Sequence, residues 1–191
     1  MNSQQIKEIL LSEIHEVSIN YEKYCNDPKR DFSRKRKLPC ELMLKNIIGM
    51  GSKSITNELI DIFQASGEMP SASAFVQQRT KIRPEALKAV FDGFMSRILA
   101  SADKMRILAV DGSDIQIETN PKDKTSHIST SIDKKSFNLL HLNALYDLEE
   151  HVYTDAIIQA AKSQNEHGAL NEMVDRSEIP KALVIADRGY E

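Results

Sequence analysis

The chain has 191 residues, of which 41% are hydrophobic and 28% charged, with a net charge of −3. That composition supports an ordinary globular core, as one medium domain or two small ones. No apolar run approaches the roughly 18 residues of a membrane span and the N-terminus lacks a secretory pattern, so no membrane partner is expected and the cytoplasm is the expected compartment.

Charge is unevenly divided along the chain. Residues 1–105 hold 16 Lys and Arg against 13 Asp and Glu, while residues 106–191 hold 9 against 15. A basic first half suits a polyanion; an acidic second half repels one unless its carboxylates hold metal ions. Cys25 and Cys40 have neither the number of a disulfide framework nor the spacing of a metal site, so both read as reduced thiols.

The first half, residues 1–103, reads as helical. Ile6, Ile9, Leu10, Ile14 and Val17 recur at helical spacing and predict a helix near 4–23. "NDPKRDFSRKRKLP" follows, with six basic residues between Lys29 and Lys37. Pro39 can open a second helix near 40–49, with Leu42, Met43 and Ile47 on its apolar face. Gly49 or Gly51 suits its end, and Ser52 suits the cap of a third helix near 52–64, which Gly67 and Pro70 would close. "SASAFVQQRTKI" predicts a short helix capped by Ser71 or Ser73. Pro84 opens another, with Leu87, Val90, Phe91, Phe94 and Ile98 on one face.

Near residue 104 the period changes, and residues 104–191 read as a second region. "RILAVDGSDIQI" is strand-like. "ETNPKDKTSHISTSIDKK" reads as a loop. "FNLLHLNALYD" and "VYTDAIIQ" are the next two strands, with Thr154 and Asp155 facing solvent. "NEHGALNEMVDRSEIP" fits one helix with Leu170, Met173 and Val174 inward, and "ALVIADRGYE" supplies a final strand buried on both faces. The order strand, strand, strand, helix, strand predicts an α/β (α+β) fold: a helical N-terminal region followed by a mixed sheet. The right-handed crossover rule places the last strand parallel to the first and beside it.

Two of these strands end in an acid: "ILAVDGS" in Asp111 and "LVIADRG" in Asp187. On adjacent parallel strands the two carboxylates would stand side by side, where like charges are costly and a hard divalent cation makes the pairing favourable. Mg²⁺ or Mn²⁺ suits such oxygens, and paired ions suit phosphodiester chemistry. Asp-Gly after an apolar run also signals a hairpin turn, and Asp-Arg-Gly a strand-end turn. Asp114 fits either a supporting role or a strand surface. His141 reads as a core or edge residue, and His127, His151 and His167 show no metal spacing.

The text around these acids resembles the DDE transposases of bacterial insertion sequences, in the IS-four-like group. "LAVDGSDI" is similar to the segment carrying that family's first Asp and "VIADRGYE" to the segment carrying its second. "DFSRKRKLPCELMLKNIIGMGSKSITNELIDIF" and "SASAFVQQRTKI" resemble its helical N-terminal region. The resemblance implies a partial RNase H-like sheet in 104–191. It implies that Asp111 bridges two Mg²⁺ or Mn²⁺ ions while Asp187 holds one, and that the chemistry is DNA strand cleavage followed by strand transfer. It also implies double-stranded DNA partners (element ends and target), a homodimer in a synaptic complex, and association with the nucleoid. The family's third acid is a Glu in a Tyr, Arg, Glu, Lys signature with no counterpart here, so a truncated transposase that is inactive alone is expected.

Candidate DNA contacts come from residue type. Arg34, Lys35, Arg36 and Lys37 can neutralise phosphates, or form a solvated linker. Gln77, Gln78, Arg79 and Lys81 share a short helix and its end; Gln and Arg suit base edges, and a plain amphipathic helix explains them equally. The helix pair near 40–49 and 52–64 permits a helix-turn-helix reading or an all-α core. Arg188 can bind a phosphate through its planar fork or join a surface ion pair, and Tyr190 can stack on a base or pack. A non-catalytic DNA-binding remnant, inhibiting a full-length transposase, is the alternative function; a stand-alone RNase H-like nuclease is a third.

Overall fold

A computed structural model of the chain describes residues 2–34, 37–99, 105–129 and 135–190. Lys35 and Arg36 lie outside the described residues. The chain divides into two compact units, 1–101 and 102–191.

The N-terminal unit is all-helical: α1 (Ser3–Ile19), α2 (Cys40–Gly49), α3 (Ile55–Phe63), α4 (Ala72–Arg79) and α5 (Glu85–Leu99). Each start has a local cause. Asn2 and Gln5 close a reciprocal capping box on α1 at 2.9 Å in both directions. Pro39 occupies the position before α2 without a side-chain cap, and Ser71 caps α4. Three boundaries depart from the sequence reading. α1 stops at Ile19 and a separate 3-10 turn covers Tyr21–Lys23. Ser54, not Ser52, caps α3, its hydroxyl accepting from the Asn57 N–H. α3 ends at Gln64, which takes the left-handed conformation (φ 50°) before Gly67 is reached.

Two apolar clusters hold this unit. Ile14 and Val17 of α1 meet Cys40 and Leu44 of α2 and Ala86 and Val90 of α5. Met43 of α2 packs with Leu38, Leu59 of α3 and Phe75 of α4. Cys25 and Cys40 are free and buried, and burial pushes the Cys40 thiol up to about 11.

The C-terminal unit is a five-stranded mixed sheet with one long helix: β1 (Arg106–Ile117), β2 (His127–Ile128), β3 (Phe137–Asp147), β4 (Val152–Ala160), α6 (Glu166–Asp175) and β5 (Ala182–Ile185). β1 pairs antiparallel with β3 and parallel with β5, as the crossover argument requires. β2 and β4 both pair with the other edge of β3. The two-residue β2 lies in the stretch expected to be a loop. Asn138 ties that stretch down, exchanging hydrogen bonds with the Asn120 backbone and donating to the Ser126 hydroxyl.

Strand alternation puts Leu108, Val110, Gly112 and Asp114 of β1 on one face, across from Asp147, Leu145, Asn143 and His141 of β3. α6 covers the apolar part of that face, its Met173 and Leu170 packing with Leu108, Val110, Leu145, Val184 and Tyr190. Full burial of a side chain such as Leu108 contributes about 1.5–3 kcal/mol. Ala169, rather than Val174, shares the buried helix face with Met173; Val174 is 49% exposed. β5 is also not the doubly buried strand expected. It is an edge strand among the described residues, with Leu183 and Ile185 half exposed, because α6 covers only the Val184 side. Asp155 is another correction. Its carboxylate does not face solvent but takes both arms of Arg176 at 2.7 Å, linking β4 to the end of α6.

A fully buried ion pair closes the lower end of the same face. Arg106 Nη1 donates to Asp147 Oδ2 at 2.6 Å, and Asp147 Oδ1 accepts from the Glu149 and Glu150 N–H groups. Burial pushes the Asp147 carboxyl up, but the Glu150 N–H, the Arg106 guanidinium and the Glu149 N–H outweigh it and hold it below the usual carboxylate value. Breaking one side of such a pair strands a charge in the core. Arg106→Ala should therefore cost about 3–5 kcal/mol, read as a lower urea midpoint. Because the Asp147 value is depressed in the fold, its contribution is complete above the unfolded value of about 4 and is lost as pH falls through the folded value. A midpoint insensitive to Arg106→Ala would contradict this account.

Candidate active site

Sheet register sets the position of the two acids. Arg106 aligns with Ala182 and Ala109 with Ile185 along the parallel β1–β5 pair. Asp111 and Asp187 each lie two residues beyond the last aligned position, so the register sets them at equivalent places along the pair. Asp187 follows the end of β5, whereas β1 runs on to Ile117 and Asp111 lies within it, opposite Ala144 of β3, and not at a strand tip as the sequence suggested. Both are exposed. Each carboxylate accepts from a nearby backbone N–H: Asp111 Oδ1 from Gly112 at 2.9 Å, Asp187 Oδ1 from Gly189 at 2.8 Å. Neither has a basic partner among the described residues.

After Asp187 the backbone turns sharply in a 3-10 turn, Arg188–Tyr190. Tyr190 anchors that turn. Its ring is buried in the α6-facing core, and its hydroxyl donates to Asn143 Oδ1 at 3.0 Å on β3. His167 Nδ1 donates to the Tyr190 carbonyl at 3.2 Å. Tyr190 therefore packs and is not presented for base stacking. Burial first, and then the charges of Glu166, Asp111 and Asp187, push its phenol up to about 12. Three carboxylates thus act on one hydroxyl.

Glu166 is the residue that sequence reasoning missed. It is the first residue of α6, directly after the Asn165 cap. Its two oxygens sit against two glycines. A Cβ placed on Gly112 would lie 2.7 Å from Glu166 Oε1, and one on Gly189 would lie 2.7 Å from Glu166 Oε2. Any side chain at either position would collide with this carboxylate. Glu166 therefore occupies the gap between the residue after Asp111 and the turn after Asp187. His141 lies behind it, 5% exposed, with Nδ1 2.9 Å from Asp114 Oδ1 and Nε2 3.0 Å from Glu166 Oε1. The Nε2 contact is close but lacks hydrogen-bond alignment, so this buried nitrogen has no aligned partner. An Asn-Glu pair opening a helix reads as capping and dipole chemistry, which hides this second use.

The donor chemistry fits a hard divalent cation. Asp111 and Asp187 supply carboxylate oxygens without competing cations, and Mg²⁺ is commonly held by one or two carboxylates with water completing its shell. Among the described residues no three His, Cys, Asp or Glu side chains form a closed metal cage. A site of two direct carboxylates and water is consistent with that.

The candidate DNA contacts fall into two groups. Arg34, Gln77 and Arg79 are exposed, and Lys81 is half-buried. Lys37 is exposed, donating to the Gly67 carbonyl at 3.1 Å and lying 3.5 Å from Glu68. Gln78 differs: it is buried, and its amide donates to the Leu38 carbonyl at 3.2 Å, so it holds the segment before α2 instead of facing outward. Arg188 is exposed beside Asp187 and has no ion-pair partner among the described residues. Of the remaining histidines, His127 lies 3.0 Å from Asn138 Oδ1, and His151 occupies a left-handed turn position (φ 58°).

The Tyr190 anchor makes a spectroscopic prediction. A phenolate absorbance titration should show one of the five tyrosines ionising near pH 12, and Tyr190→Phe should remove that limb. The same substitution should cost about 1 kcal/mol through the lost hydrogen bond to Asn143. An unchanged upper limb in Tyr190→Phe would mean that Tyr190 is not packed among the three acids.

Residues 102–191, the whole of the C-terminal unit, match the family model described as Transposase DDE domain. No curated protein and no solved structure matches the chain. The C-terminal unit is thus similar over its full length to the DDE domain of transposases.

Proposed function

We propose that this chain belongs to a DNA transposase of a bacterial insertion sequence. In this reading the C-terminal unit carries the strand-cleaving site and the N-terminal unit binds duplex DNA. The observation that carries it is the pairing of Asp111 and Asp187 at one end of a parallel strand pair, within a unit that matches the transposase DDE family. Two carboxylates side by side without a basic partner are unfavourable alone and suit divalent-cation binding. A helical unit with excess Lys and Arg is the complement that a polyanion needs.

Asp111 and Asp187 would hold Mg²⁺ or Mn²⁺. When bound, the cation supplies charge neutralisation at a phosphodiester and a more acidic water. The protein's own groups do the rest. The 3-10 turn anchored by Tyr190 fixes where Asp187 points. Arg188, free of ion pairs among the described residues, can orient a phosphate next to the acids. In the N-terminal unit Arg34, Lys35, Arg36 and Lys37 provide sequence-independent phosphate contacts, while Gln77, Arg79 and Lys81 offer polar contacts from the end of α4. Gln78 is not part of that face. No described helix is long and apolar enough to cross a membrane, and the working site of such a protein is the nucleoid.

Duplex binding across a salt series tests the division of labour. Changing Arg34, Lys35, Arg36 and Lys37 to Ala should weaken binding to all sequences and flatten the salt slope by about one unit for each phosphate no longer neutralised. Asp111→Ala and Asp187→Ala should leave that affinity largely intact. Unchanged affinity and slope in the basic variant would make the cluster a solvated linker. Robust Mn²⁺-dependent nicking that survives Asp187→Ala would place the active site elsewhere.

A further inference from the structure

We propose that Glu166 is a third acidic group of the cation site: a carboxylate in the cation's outer sphere, accepting from its hydration shell. The Asp114–His141 pair positions it. The inference rests on the reading of Asp111 and Asp187 as the direct ligands.

Four observations support it. Glu166 places one oxygen against Gly112 and the other against Gly189, the residues that flank the two acids in sequence. Neither glycine has positive φ, so backbone conformation does not demand glycine at either place. A Cβ would meet the Glu166 carboxylate at both positions, together with His141 Nε2 at 2.7 Å from the Gly112 position and Asp187 Oδ1 at 3.1 Å from the Gly189 position. Next, Glu166 has no Lys or Arg partner among the described residues; its one ion-pair contact there is with His141, whose Nε2 lies 3.0 Å from Oε1. Helix dipole stabilisation at the start of α6 favours its charge but does not explain the convergence on two glycines. Lastly, His141 is buried, unaligned at Nε2, and faces the Glu166 carboxylate and Gly112. A buried polar nitrogen without an aligned partner is costly, and such groups concentrate where function requires them. Its other nitrogen is fixed by Asp114, which β1 carries three residues beyond Asp111 and directly across from His141.

The geometry favours an outer-sphere role over direct ligation. No closed cage of three protein ligands exists among the described residues, and small hard cations retain water. A carboxylate that holds and orients this water strengthens binding without entering the inner shell. Groups of this kind are commonly worth 10–100-fold in metal affinity.

The test is Mn²⁺ binding to the full chain, with no DNA present, followed by the loss of free-Mn²⁺ electron paramagnetic resonance signal. Asp111→Asn reports on the direct site. Glu166→Gln removes one charge and keeps the shape, and should weaken Mn²⁺ binding about 10-fold or more. Glu118→Gln removes an equal charge from an exposed position just past the end of β1 and should leave binding nearly unchanged. Gly112→Ala changes no charge but crowds both the Glu166 carboxylate and the His141 ring behind it, so it should weaken binding in the same direction as Glu166→Gln. If Asp111→Asn weakens binding while Glu166→Gln behaves like Glu118→Gln, the role of Glu166 is overturned and the two-aspartate site stands. If Asp111→Asn binds Mn²⁺ as the unaltered chain does, the cation-site reading itself fails, and the role of Glu166 with it. Should Gly112→Ala not fold, the comparison of Glu166→Gln with Glu118→Gln decides the question alone.

Discussion

Like charge brought together at one end of a sheet is the constraint on which the C-terminal unit turns. The parallel β1–β5 pair sets Asp111 and Asp187 at equivalent positions, and α6 brings Glu166 against Gly112 and Gly189, close to them in sequence. Such an arrangement opposes folding on its own. The opposing cost is met elsewhere in the unit. The Arg106–Asp147 pair holds the far end of the same sheet face, the Leu108, Val110, Leu145 and Met173 cluster fills its middle, and Tyr190 closes it over Asn143. Along β1 one face therefore passes from a buried ion pair through an apolar core to a polar end.

This layout separates rigidity from reactivity. Asp111 is on the longest strand, which pairs with β5 as far as Ala109 and with β3 along to Ile117. Asp187 lies just past the end of a short edge strand and depends on a single turn for its position. Tyr190 holds that turn from inside the core, so the phenol packing is a structural requirement of the second acid. The two bare glycines complete the arrangement by letting a helix-borne carboxylate reach the strand ends.

Much of this was legible in the sequence. The change from helical to strand period near residue 104, the order of the elements and the parallel pairing of the first and last long strands all followed from hydrophobic pattern and the handedness of crossovers. Asp111 and Asp187 drew the metal-site reading because an acid after an apolar run is conspicuous, although β1 continues past Asp111 to Ile117. Other features depended on tertiary packing that pattern does not encode. Nothing in the pattern singled out Glu166, and only the approach of α6 brings it against Gly112 and Gly189. Gln78 looked like a surface amide, but α4 turns it inward against the Leu38 carbonyl. Asp155 looked solvent-facing because alternation along β4 says nothing of an arginine arriving from the end of α6. β5 looked doubly buried because an apolar run records capacity for burial, not which faces are covered.

The central claim is that a divalent cation binds between Asp111, within β1, and Asp187, just past the end of β5. Paramagnetic broadening by Mn²⁺ in the amide spectrum of the full chain tests it most directly. At low Mn²⁺ the account predicts that the amide signals of Gly112, Gly189 and Glu166 disappear first, and that Asp111→Asn prevents their loss. Broadening that begins at the exposed acids of the β3–β4 turn, Glu149 and Glu150, and leaves Gly112 and Gly189 sharp would contradict it.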